Sequence, residues 1–523
     1  MKKTILSAAA CAALLVVSGE SLASGLTVST EGGTLQGFTK TVPGTSSRAE
    51  VFLGVPFAAP PVGENRWKKA QPVKVWKGVR MADVAPNVCK QRGVGSEDCL
   101  YVNIYRPAGM KAGKKLPVAV YGHGGANISG GATEHDGSRM ATENNVVVVT
   151  LQHRLGAFGF LSLPGMGEEA GNFGVSDMEA ALAWVRRNIG AFGGDPKRVT
   201  LITESSGSTN ACRILVDPKA KGLVNGVVLQ SEDCVHDVDN AKQAAVRAEK
   251  FLKKAGCDGA SDKLACLRKL PTDTLAVASA AVGLWNPVSE TSAISEIQKG
   301  NWIKVPVLSG SNKEEGRSAG GAYLGWGEPE YKAWVEKLVG QNSGKALELY
   351  PAGKYKGNYA LQYVIGDFIT DSGMRGLGGC TNLTLADALG KTGPAAWFYT
   401  FEDSTVPTDA NPKRPGYDNA ASHASELTYL FPDAGRYLRK SVRMTPAQKK
   451  LAKEMRAYWA NFAKTGNPNG KGLPAWKPYK GNGYVMALRL NGKSRSLPAS
   501  YFSDIHKCSF WNSIPVVLDR GDR

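Results

Sequence analysis

The sequence predicts an α/β protein with a mostly parallel central sheet and helices on both of its faces. Three observations predict it. Short apolar runs rich in β-branched and aromatic residues recur along the chain. Stretches with helical spacing separate them. One of the runs passes directly into a serine-glycine turn followed by a helix-compatible segment.

The elements follow in order. Leu116 to Tyr121 and Asn145 to Thr150 read as buried strands, being apolar almost throughout. Asp177 to Ile189 has helical spacing, with Met178, Ala181, Leu182 and Val185 on one side. Val199 to Ile202 is a short strand that leads into Glu204-Ser205-Ser206-Gly207. Val305 to Leu308 and Ala395 to Phe401 are further strand candidates. A late helix is expected over Thr445 to Ala463, with Leu451, Met455, Tyr458 and Phe462 along one face. The region from 240 to 300 is helical in pattern and suits cap insertions over the sheet.

The ends and the composition bound the function. Lys2 and Lys3, the apolar run from Ile5 to Val17, and the small residues Ser21 and Ala23 form a secretory leader pattern over residues 1–23. Residues 24–523 then make up the mature chain, secreted or periplasmic. No other apolar stretch is long enough for an integral membrane segment. Of nine cysteines, Cys11 falls in the leader. Cys89, Cys99, Cys212, Cys234, Cys257, Cys266, Cys380 and Cys508 remain, an even set suited to disulfides in an oxidising compartment. Cys89 with Cys99, and Cys257 with Cys266, look like closures of local loops, while the full connectivity stays open. No C-x-x-C spacing or histidine cluster suggests a metal site. The net charge of +18 is spread along the chain without a basic run or nucleic-acid motif, so no nucleic-acid partner is expected. The charge reads either as that of a soluble basic exported protein or as attraction for an anionic substrate or surface.

Three sites carry chemistry. Thr203-Glu204-Ser205-Ser206-Gly207 sits between a strand and a helix, as a nucleophile elbow does, with Ser205 at the tip. His123-Gly124-Gly125-Ala126 follows the strand ending at Tyr121. Its small residues let backbone N–H groups converge on an oxyanion, which assigns Gly125 and Ala126 together with Ser206, the residue after the nucleophile. In the α/β-hydrolase order, serine precedes the acid and the acid precedes the histidine. His423, in Ala421-Ser422-His423-Ala424-Ser425-Glu426, suits that order, with His506 as the other late candidate. Glu315 is the expected acid, with Glu314 its nearest rival.

These residues, with Val51 to Gly63, Ser96 to Ile104, Arg154 to Phe160, Trp184 to Pro196, Trp459 to Pro468 and Lys507 to Trp511, resemble the type B carboxylesterase and cholinesterase-like family of the α/β-hydrolase superfamily. The resemblance runs from Val28 to the C-terminal region. It implies one catalytic domain over 24–523 rather than the three that length alone suggests. It selects Ser205, Glu315 and His423 as the catalytic triad. It also implies the pairs Cys89–Cys99, Cys257–Cys266 and Cys380–Cys508, leaving Cys212 and Cys234 for an additional bridge beside the nucleophile helix.

The chain departs from the family pattern at four places. Thr203 replaces the first elbow glycine, Asn127 replaces an aromatic residue after the glycine loop, and Ser231-Glu232 replaces Ser-Gly, which would put an acidic residue at the site. The Cys89–Cys99 loop has no tryptophan to face a quaternary ammonium, which argues against choline esters. The expected activity is hydrolysis of a small-molecule ester through an acyl-enzyme, with no cofactor or metal. A non-catalytic binding protein on the same fold and a lipase-like interfacial hydrolase are the alternatives.

Overall fold

The computed structural model describes residues 26–515, apart from 112, 237, 408–413, 434–442, 482 and the side chain of Arg375. The leader expected over 1–23 lies outside the described residues. Fourteen strands are described: β1 Thr27–Thr30, β2 Gly33–Gln36, β3 Phe38–Thr41, β4 Arg48–Pro56, β5 Val79–Met81, β6 Tyr101–Pro107, β7 Leu116–Gly122, β8 Val147–Leu151, β9 Gly194–Glu204, β10 Gly226–Gln230, β11 Val307–Asn312, β12 Ala396–Phe401, β13 Tyr484–Leu488 and β14 Arg495–Pro498.

β1, β2 and β5 form a small separate sheet. The main sheet has the order β14-β13-β12-β11-β10-β9-β7-β8-β6-β4-β3. From β8 to β13 every neighbouring pair is parallel. The margins β6, β4, β3 and β14 are antiparallel. The sheet is thus mostly parallel, as expected. The antiparallel N-terminal margin, β10, β13 and β14 add to the strands expected from the sequence.

Side-chain alternation splits the core in two. Val118 and Val120 of β7, Val227 and Leu229 of β10, and Phe398 of β12 face one apolar cluster. Ala119 and Tyr121, Val228, and Trp397 and Tyr399 face the other. Successive strand residues point to opposite faces, so a sheet covered twice needs apolar residues at every position. The helix Phe173–Asn188 packs its Met178, Leu182 and Val185 into the first cluster. The helix Pro446–Thr465 packs Leu451, Met455, Trp459 and Phe462 into the second. It begins in a reciprocal capping box between Thr445 and Gln448 and ends at Gly466 in the left-handed region.

The 240–300 region is helical, as expected. Its helix Ala293–Lys299 lies against Ser206–Val216 and Gly379–Thr392 on one covering layer. All four expected or remaining cysteine pairs are bonded: Cys89–Cys99, Cys212–Cys234, Cys257–Cys266 and Cys380–Cys508. Among the described residues, no helix is long and apolar enough to cross a membrane.

The placement of the site follows from strand order. β7 and β9 are parallel neighbours, paired at their ends through Gly122 and Thr203. β8 lies on the far side of β7. The loops leaving β7 and β9 therefore open a crevice at the carboxyl end of the sheet, the position such folds use for ligands.

Candidate active site

Ser205 stands between β9 and the helix Ser206–Val216, with φ 53° and ψ −131°. A non-glycine residue in this region costs on the order of 1–3 kcal/mol and is held only when its surroundings enforce it. Here they do: its N–H donates to the Gln230 carbonyl at 2.9 Å, and its own carbonyl accepts from Ser208 and Thr209. Thr203 fits the turn without strain, because it lies in β9 and is not among the residues with positive φ. Its Oγ1 donates to the Val228 carbonyl and accepts from Ser208 Oγ. Its Cγ2 lies 3.3 Å from where a Cβ on Gly122 would stand, so the glycine missing from position 203 is matched by one on the neighbouring strand.

The structure brings Ser205, His423 and Glu315 together. His423 Nε2 is 2.8 Å from Ser205 Oγ, and His423 Nδ1 is 2.7 Å from Glu315 Oε2. With a carboxylate as partner, Nδ1 carries the hydrogen and Nε2 accepts from the serine hydroxyl. The other oxygen of Glu315 accepts from the Asn312 N–H at 2.7 Å and from Ser231 Oγ at 2.5 Å. Glu315 is fully buried. The rival carboxylate Glu314 turns away to accept from the Ala421 N–H and Ser404 Oγ, which steadies the loop carrying His423. His506, the other late histidine, pairs with Asp371 at 2.7 Å and takes no part in this chain.

Two further buried carboxyl groups surround His423. Glu204 Oε1 lies 3.3 Å from His423 Nε2, and among the described residues that oxygen has no hydrogen-bond partner. Glu426 accepts from Asn312 Nδ2 at 2.6 Å and Gln230 Nε2 at 3.2 Å. Burial raises the affinity of Glu204 for its proton, the His423 charge opposes this, and Glu315 adds to it. Burial likewise raises Glu426, followed by the charges of Glu204 and Glu315. For His423 burial opposes protonation, but Glu204, then Glu315, outweigh it and raise the imidazole above its ordinary value. Sequence reasoning assigned neither Glu204 nor Glu426 a part. The available signal was position: one directly precedes the serine and the other closes the His423 motif.

The glycine loop packs against the elbow. A Cβ on Gly124 would come within 2.6 Å of Glu204 Oε2 and 2.8 Å of Ser205 Cβ, so only glycine permits the approach. Gly125, Ala126 and Asn127 all have positive φ, at 109°, 57° and 55°. Among the described residues, the N–H groups of Gly125, Ala126 and Ser206 have no acceptor. Ser206 opens a helix, where such unused donors are the rule. The Asn127 N–H donates to Ser206 Oγ at 2.9 Å, which ties the loop to the start of that helix. The Asn127 side chain is buried and exchanges hydrogen bonds with Asn210, while its Nδ2 also donates to the Trp285 carbonyl. The residue replacing an aromatic is therefore a polar brace.

Glu232, expected at the site, is instead absorbed beside it. Its carboxylate accepts from Thr209 Oγ1 at 2.8 Å and from the Asp233 and Cys234 N–H groups.

Gly125, Ala126, Ser205 and His423 share the lining of one open cavity of about 520 Å³, a volume that admits a small organic ester. Ile128, Ser129, Glu204, Ser318, Pro407, Ser422, Ala424, Ser425 and Thr428 complete its described lining, to which the 240–300 helices contribute nothing.

A model of the carboxylesterase family matches residues 24–511. The human protein named carboxylesterase 5A is 32% identical over 94% of this chain and 89% of its own length. Human cocaine esterase is 31% identical over 97% of this chain and 95% of its own. Among solved structures, one titled PNB esterase superposes with a TM-score of 0.73 at 29% identity, covering 92% of this chain and 99% of that one. With the parallel sheet, the elbow serine and the adjoining glycine loop already in place, the match over nearly the whole length makes this chain a member of the carboxylesterase family and a carboxylic ester hydrolase of the α/β-hydrolase fold.

Proposed function

We propose that the protein is an exported serine carboxylesterase in which Ser205, His423 and Glu315 act as nucleophile, general base and orienting acid. The observation that carries this reading is the unbroken hydrogen-bond chain from Ser205 Oγ through His423 to Glu315. Ser205 Oγ attacks the ester carbonyl carbon as His423 Nε2 takes its proton. Glu315 keeps the imidazole in the tautomer that leaves Nε2 free and stabilises the imidazolium. The carbonyl oxygen, now anionic, is received by the N–H groups of Gly125, Ala126 and Ser206, each such donor lowering the barrier by roughly 3–4 kcal/mol. Imidazolium then gives its proton to the departing alcohol. Water repeats the cycle on the acyl-enzyme and releases the acid.

The cavity supports a small, water-soluble substrate over an oil interface. Among the described residues, none of the large exposed hydrophobics, such as Val75, Val84 and Val277, belongs to its lining. Its described lining holds one acidic residue, Glu204, and no lysine or arginine. The leader pattern at 1–23 and the four disulfides support export to an oxidising compartment.

The test is hydrolysis of p-nitrophenyl acetate and butyrate by the purified protein and by Ser205→Ala. The expected result is turnover that falls at least about 10⁴-fold in the variant. Equal rates in the two proteins would overturn the assignment of Ser205.

A further inference from the structure

The described cavity lining carries four hydroxyl groups without partners among the described residues. Ser422 and Ser425 flank the histidine in the chain, line the cavity and are only 4% and 6% exposed. Among the described residues, neither hydroxyl has a hydrogen-bond partner, and neither is sealed from the cavity as the orphaned buried atoms elsewhere are. Ser318 and Thr428, both half-buried, line the same cavity, and among the described residues their hydroxyls have no hydrogen-bond partner either. The other lining hydroxyls are bonded: Ser129 donates to the Gly125 carbonyl at 3.3 Å, and Ser205 Oγ lies 2.8 Å from His423 Nε2. The described lining has no phenylalanine, tyrosine or tryptophan, and Ile128 and Pro407 are its only sizeable apolar residues.

The chemistry of the step says which part of the substrate meets this wall. His423 Nε2 delivers a proton to the departing alcohol, so the alcohol half of the ester lies beside His423. Ser422 and Ser425 adjoin His423 in the chain and line the same cavity, so the alcohol half is the part of the substrate assigned to them. A hydroxyl can both donate and accept, so it matches alcohol or ether oxygens and asks for no charge. A hydrocarbon alcohol pressed against the same wall displaces water and leaves the hydroxyls unpaired.

We infer that Ser422 and Ser425, supported by Ser318 and Thr428, are specificity residues that select esters of neutral, oxygen-rich alcohols such as polyols. This rests on the serine-hydrolase reading above, and the experiment separates the two.

Glycerol 1-monobutyrate and butyl butyrate share an acyl group and differ in the alcohol, so the ratio of their kcat/KM values reports contacts to the alcohol alone. The ratio is measured for the wild type, Ser422→Ala, Ser425→Ala, the double variant and the near-isosteric Thr428→Val, each checked for folding by thermal melting. The wild type is expected to favour the glycerol ester. Each single change is expected to lower the ratio by about three- to tenfold, and the double variant by more. A ratio unmoved by all the variants, or a wild type that favours butyl butyrate, overturns the inference while leaving Ser205-dependent hydrolysis standing. Failure to cleave either ester overturns the inference, and p-nitrophenyl butyrate run alongside shows whether Ser205-dependent hydrolysis stands. Thr428→Val keeps the test decisive if a serine variant does not fold.

Discussion

Glu315 holds His423 twice: its Oε2 lies 2.7 Å from the ring Nδ1, and its backbone carbonyl accepts the His423 N–H at 3.1 Å. One residue thus sets both the position of the loop carrying the imidazole and the orientation of its ring. The two contacts can be separated by mutation, since only the side-chain contact depends on the carboxylate.

Glu315→Gln keeps the backbone contact and removes the negative acceptor, so the ring loses the preference for hydrogen on Nδ1. On the proposed assignment kcat/KM for a p-nitrophenyl ester falls by about 10³–10⁴-fold with little change in the melting curve. A fall below tenfold would move the orienting role away from this side chain.

Glu204→Gln addresses the charge beside His423 Nε2. Glu204 is among the groups that raise the imidazole, and the base acts only when neutral. Removing its negative charge makes the imidazolium easier to deprotonate. The acid limb of the kcat/KM profile is therefore expected to lie above the ordinary histidine range in the wild type and to move to lower pH in the variant. A limb that stays in place or moves upward contradicts this account of the site's electrostatics.

Asn127→Ala strips the polar brace between the glycine loop and the nucleophile helix. It leaves Asn210 and the Trp285 carbonyl without their buried partner. The expected loss of stability is about 1–3 kcal/mol, read from urea unfolding. An unchanged midpoint would show that water replaces the amide at no cost.

The bridge Cys212–Cys234 joins the nucleophile helix to the loop after β10, closing a sequence separation of 22 residues. That loop carries Ser231, whose hydroxyl donates to Glu315. Replacing both cysteines with alanine is expected to lower stability by about 3 kcal/mol. It is also expected to lower kcat more than it alters KM, because the acid loses a fixed donor. A loss of stability with kcat intact would confine the bridge to a structural part.

Much of this was legible in the chain. Leu116 to Tyr121 and Ala395 to Phe401 read as strands because a sheet covered on both faces needs apolar residues in unbroken runs, and both are strands. The two short-range cysteine pairs were equally readable from their spacing, whereas the choice of Glu315 over Glu314 came from the family resemblance. The rest depends on contacts between distant segments. Asn127 and Asn210 are 83 residues apart and meet only because β7 and β9 are neighbours. Gly122 accommodates Thr203 for the same reason. Glu232 looked like a site residue because it follows Ser231, but the Cys212–Cys234 bridge and Thr209 hold its region against the helix instead. The strands β1, β3 and β5 lack long apolar runs because part of their surface meets water, so periodicity gave them little prominence.

The most direct measurement is mass spectrometry of the intact and digested protein after reaction with diisopropyl fluorophosphate, followed alongside loss of esterase activity. The account predicts one adduct, on the peptide containing Ser205, that grows in step with inactivation and is absent from Ser205→Ala. Inactivation with the adduct on another residue, or full activity lost with Ser205 unmodified, would contradict it.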